Sequence, residues 1–137
     1  MEEGIAEITP DKEKAKSIMK MVEITLEMIK TIDAKKFPSN LLKEYYDVIR
    51  ELMTTILLLD GFKTKGEGAH KKLIEYLEEN YNQFTGYEIS LMDDLRIIRN
   101  KISYNGFFIT EDYLERKRKY ILDIISKLKN IISRKLE

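Results

Sequence analysis

The chain has 137 residues, 43% of them apolar and 35% charged, a length and balance that suit a single domain with its own core. Lys plus Arg equals Asp plus Glu at 24 each, which excludes dominant non-specific duplex binding through a basic surface but leaves room for a local basic cleft. Without cysteine there is no disulfide, thiolate metal site or cysteine nucleophile; the one histidine, His70, excludes multi-histidine zinc sites and leaves a single candidate imidazole base.

No apolar run reaches the roughly 18 residues of a membrane span. The N-terminal MEEGIAEITP is acidic and lacks a signal-peptide pattern, so a cytoplasmic protein is expected. Abundant Ile and Lys with a single Gln resemble hyperthermophile usage.

Residues 1–8 read as a loose lead-in. Thr9-Pro10-Asp11 predicts a helix start, with Thr9 as N-cap and Pro10 at the first helical position. The helix is expected to run to about Ala34. Its polar arc, Lys16, Lys20, Glu23, Glu27 and Lys30, spans only about 80°. Ile18, Val22, Leu26 and Ile29 lie on one apolar side, and Met21, Ile24, Met28 and Ile32 on the other. One core needs an arc of about 100° or a little more, and this helix offers about twice that. Two explanations stand: a helix deep in its own bundle, or one shared between the core and a partner subunit. A homodimer is the expectation.

Phe37-Pro38-Ser39-Asn40 is a turn, and a second helix is predicted from about Asn40 to Asp60, stopped by Gly61. Leu41, Tyr45, Val48, Leu52, Ile56 and Leu59 form its stripe, widened by Leu42, Ile49, Met53 and Leu57. Glu44, Asp47 and Glu51 give it an acidic edge, either a solvated face or a set of partners for arginines. Lys63 to Gly68 is a two-glycine loop without the spacing of a P-loop. His70 then opens a short helix carrying Leu73, Ile74, Leu77 and Tyr81.

Thr85-Gly86-Tyr87-Glu88 fits a capping box and opens a helix closed by Asn105-Gly106. Leu91, Leu95, Ile98 and Ile102 make its apolar stripe, bordered by Met92. Arg99 falls about 40° from Leu95, on the rim of that arc. A charge there must be paired, must snorkel, or must wait for a ligand. An ion pair to a neighbouring helix, an anion site and a dimer contact all remain open for it. Asn100, Arg96 and Ser103 lie beside it, toward solvent. Thr110 caps a last long helix with the inward stripe Leu114, Ile121, Ile124, Ile125, Leu128 and Ile132. Its basic run, Arg116 to Lys119, points in several directions and reads either as solvated surface or, in part, as lining for a cleft near Arg99. No strand shows clean alternation. Four long helices and one short one predict an all-α fold, an antiparallel four-helix up-and-down bundle with one extra helix.

Two wide-faced helices, a short helix after a Gly-rich loop, then RNKISYNG before a last long helix resemble the HEPN superfamily over about residues 10–135. That family's signature is an Arg, usually a polar residue next, and a His after four to six intervening residues. Arg99 and Asn100 match; the His position, with four residues between, is Tyr104. The resemblance implies a single HEPN-like domain that dimerises with two Arg motifs facing one cleft. Active members are metal-independent ribonucleases in which His acts on the 2′-hydroxyl and Arg steadies the phosphate. Some are toxins checked by a small nucleotidyltransferase partner; others bind nucleotides or RNA without catalysis. A phenol, with a pKa of about 10 against about 6.5 for imidazole, is a poor base at neutral pH. In toxin members a Tyr can follow two residues after the His, and here that position is Gly106. The expectation is therefore a homodimeric binding module with no metal or cofactor. Arg99, Asn100 and Tyr104 would hold a nucleotide or RNA phosphate, with Arg96 as an outer contributor. The alternatives are a ribonuclease using Arg99 with Tyr104 or His70 as catalytic pair, and a structural or adaptor protein with Arg99 in an ion pair.

Overall fold

The structure is a computed structural model that describes residues 3–137. It is mostly helical: α1 (Lys12–Lys30), α2 (Pro38–Asp60), α3 (Ala69–Asn80), α4 (Gly86–Asn105) and α5 (Glu111–Leu136). No helix is long and apolar enough to cross a membrane, among the described residues.

Helix α2 is the hub. Its apolar residues cover more than half its circumference, so α1, α3, α4 and α5 all pack on it. Leu41, Leu42, Ile49, Leu52, Met53, Ile56 and Leu57 are fully buried. The α5 stripe expected from the sequence is buried at all six positions. Thr85 caps α4 through the predicted capping box, Thr110 caps α5, and Gly61 ends α2 in the left-handed region at φ 91°.

Four expectations need correction. The lead-in expected over residues 1–8 contains a strand, β1 (Ile5–Glu7), paired antiparallel with β2 (Phe62–Thr64) in the register Ile5↔Thr64 and Glu7↔Phe62. Each strand has three residues, too few for alternation to register, and their pairing spans most of the first half of the chain. Of the rest of that lead-in, Met1 and Glu2 lie outside the described residues. The N-cap of α1 is Asp11, not Thr9: its carboxylate accepts from the Lys14 N–H at 2.9 Å, and Pro10 stands outside the helix. Finally, α1 stops at Lys30 instead of Ala34, because the Thr31 hydroxyl donates to the Met28 carbonyl at 2.7 Å and the Asp33 carboxylate accepts from the Lys35 N–H. Helix α2 also begins earlier than Asn40, with Pro38 at its first position.

The β1 segment returns over the end of α2. The Ile8 N–H donates to the Gly61 carbonyl at 2.9 Å, and a Cβ on Gly61 would stand 3.3 Å from the Ile8 carbonyl oxygen and 3.5 Å from Pro10. Positive φ and close approach act together, so Gly61→Ala is expected to cost about 1–2 kcal/mol. Urea unfolding of the variant measures this; an unchanged midpoint would mean that neither constraint binds.

Candidate functional site

The α4 helix presents Arg96, Arg99, Asn100 and Ser103 along one side. Arg99 is paired within the protein. Its Nε and Nη2 donate to Asp47 Oδ1 and Oδ2 at 3.2 and 3.4 Å, and its Nη1 donates to Ser103 Oγ at 2.7 Å. Asp47 comes from the acidic edge of α2, so that edge does supply a partner for an arginine. The fork on a carboxylate is the geometry a guanidinium prefers. Arg96 Nε donates to Asp93 Oδ1 at 2.8 Å, and Arg50 Nη2 lies 3.6 Å from Glu51.

Tyr104 stands apart from this arrangement. It is 81% exposed on the last turn of α4, beside the exposed Phe107 and Phe108 of the turn that follows. The residues named as one site in the sequence are thus divided. Arg96 and Asn100 line a shallow basin of about 260 Å³, whereas Arg99 is held on Asp47 and neither it nor Tyr104 is among the lining residues. The opposite wall of the basin is the start of α3: Gly66, Gly68, Ala69, His70 and Lys71. Gly68, at φ 76°, offers α3 no side-chain cap, and the first turn of α3 carries no acid.

His70 therefore does fold back toward α4. Burial, then the guanidinium groups of Arg50 and Arg99, hold its imidazole below the ordinary histidine range; Asp47 opposes them and Arg96 adds to them. At neutral pH it is the uncharged form, able to accept a proton. Tyr46 of α2 is 1% exposed, and its hydroxyl has no hydrogen-bond partner among the described residues. Burial pushes its phenol up to about 12, against the pull of Arg96, Arg50 and Arg99.

The sequence reading did not single out Arg50 and Tyr46. A signal existed: Tyr46 and Arg50 lie one turn apart on α2, flanking Asp47. Nothing in the local sequence places them opposite α4. The basic run lies elsewhere: Arg116 pairs with Asp112, Lys117 Nζ donates to the Tyr87 hydroxyl, and Arg118 Nε donates to the Tyr45 hydroxyl. No group of three or more His, Asp or Glu side chains placed to hold a metal occurs among the described residues. Comparison of the chain with protein-family models, curated proteins and solved structures gave no match.

Proposed function

We propose that the protein is an HEPN-like binding module, acting as a homodimer, that takes the phosphate of a nucleotide or of RNA in the basin between α3 and α4. In this reading α1, α2, α4 and α5 are the four long helices of an up-and-down bundle and α3 is the extra short one. One observation carries it: the basin is lined by Arg96, whose Nε is held by Asp93, with Asn100, His70, Lys71 and the glycine-rich segment that leads into α3, and none of these lining residues is a carboxylate. Such a wall offers hydrogen-bond donors and positive charge to phosphate oxygens. Arg99, engaged by Asp47, positions the wall instead of gripping the ligand.

Fluorescence anisotropy with a labelled short RNA and a labelled nucleotide tests this. Binding is expected to weaken as salt is raised. Arg96→Ala should raise Kd by about tenfold, the loss of one charge-assisted contact. Arg99→Ala should lower the melting temperature more than it lowers affinity, since it strands Asp47. Affinity unchanged by Arg96→Ala would remove the basin as the site.

A second reading is favoured by His70, whose uncharged imidazole shares the basin with Arg96 and Asn100. It makes the protein a metal-independent endoribonuclease, held in check by a small nucleotidyltransferase partner. Incubation with total RNA in EDTA separates the two. Discrete cleavage that vanishes in His70→Ala supports the nuclease, and intact RNA supports binding alone.

A further inference from the structure

Helix α1 lies on α2 with one face and leaves the other uncovered. Ala15, Val22 and Ile29 are its buried residues, whereas Met21, Ile24 and Met28 are 61%, 60% and 44% exposed. On a helix these three fall within about 60° of one another, with Ser17 among them, so they form one apolar strip along most of α1. A strip of large apolar side chains that the fold leaves in water points to a docking surface.

The charges beside the strip say what fits there. Lys16, Lys20, Glu23 and Glu27 lie on a single flank, within about 60° of one another. They run basic first, then acidic; Lys30, the other member of the polar arc, lies about 20° further round, away from the strip. Two of the four are already engaged: Lys16 with Glu13 at 3.2 Å, and Glu23 with Lys129 of α5 at 2.6 Å. Lys20 and Glu27 are exposed and make no ion pair among the described residues. A helix that carries a basic residue on one side of its strip's midpoint and an acidic one on the other is complementary to itself when reversed. Two copies of α1 related by a two-fold axis near Ile24 would set Lys20 against Glu27 of the partner subunit, twice over. A parallel arrangement would place basic ends together and acidic ends together. Antiparallel helix pairs bring like flanks into contact, which this pattern requires.

We infer that the partner on α1 is a second copy of this chain, docked antiparallel through Met21, Ile24 and Met28 with crossed Lys20–Glu27 pairs. The inference rests on the homodimer in the function proposed above and names its seam. A groove of about 300 Å³ beside the strip, between Met21 and Thr25 of α1 and Asp47 and Arg50 of α2, makes the seam adjacent to the Arg99–Asp47 pair. Dimerisation and the basin would then be linked through α2, whose Asp47 lines the groove and holds Arg99 of α4.

Sedimentation equilibrium over a concentration series tests this with the full chain. The wild type is expected to be a dimer, and Ile24→Glu a monomer with an unchanged circular dichroism spectrum. Lys20→Glu and Glu27→Lys should each raise the dimer Kd by about tenfold, since each sets two like-charged pairs across the axis. The double variant Lys20→Glu/Glu27→Lys restores opposite charges and should return Kd to near the wild-type value. Rescue is the signature of the antiparallel seam, and it remains readable even if Ile24→Glu fails to fold. A dimer that survives Ile24→Glu, or a double variant no better than the singles, overturns the seam and leaves the dimer standing. A wild type that is monomeric overturns the seam and the dimer alike, while the anisotropy measurements still decide the anion site.

Discussion

Leu95→Ala is expected to lower the free energy of unfolding by about 3–4 kcal/mol, while the same truncation of Ile98 or Ile102 costs about 1–2 kcal/mol. All three lie on the α4 stripe, and periodicity alone treats them as equals. The structure does not. Leu95 is fully buried beside Leu91 and Met92, where removing its side chain leaves a cavity against α2. Ile98 and Ile102 are only partly buried, packed at the edge of the core. Their vacated space opens toward water, so the cavity contribution shrinks and mainly the transfer loss remains. Urea unfolding of the three variants, with unchanged denaturant dependence, measures this. Equal costs at the three positions would mean that α4 is buried along its whole length.

That difference shows where the sequence was legible and where it was not. Helix type, the stops at Gly61 and Gly106 and the caps at Thr85 and Thr110 are local properties of a few residues, and each was readable. The double apolar face of α1 was readable too, because its polar arc is too narrow for one buried side. The depth of Ile98 depends on which other elements pack over that turn of α4, which no window of sequence contains. The β1–β2 pairing is hidden for the same reason: three residues meet three others far along the chain, and only that meeting makes them strands. At the candidate site, Arg99 was readable as a charge in need of a partner, and Asp47 stood on an edge named as a source of partners. The approach of His70 to Arg96 and Asn100 was not readable, since it depends on how the 63–68 loop turns α3 back against α4.

Asp60→Ala is expected to cost about 2–4 kcal/mol, because one carboxylate ties three elements together. Asp60 is the last residue of α2, where a negative charge opposes the helix dipole, so its value lies in its partners. Its Oδ2 accepts from the Tyr76 and Tyr81 hydroxyls, both at 2.7 Å, and its Oδ1 accepts from Lys135 Nζ near the end of α5. Removing it leaves two half-buried phenols without an acceptor and an ammonium without its counter-charge. Asp60→Asn keeps an acceptor and should cost less, about 1–2 kcal/mol. The pH dependence supplies a second readout. Burial, followed by the hydrogen bond to Asp60, raises the ionisation of Tyr76 and Tyr81 above the ordinary tyrosine value. A pKa raised in the folded state means the folded chain keeps protons that the unfolded chain releases. The resulting stability is fully present below pH about 10, the unfolded value, and is lost as pH rises from there through the folded one. Urea midpoints at pH 8 and 10.5 should therefore diverge more in the wild type than in Asp60→Ala or in Tyr76→Phe/Tyr81→Phe. If the alkaline loss is as steep in those variants as in the wild type, the Asp60 cluster does not hold α3 and α5 to the end of α2.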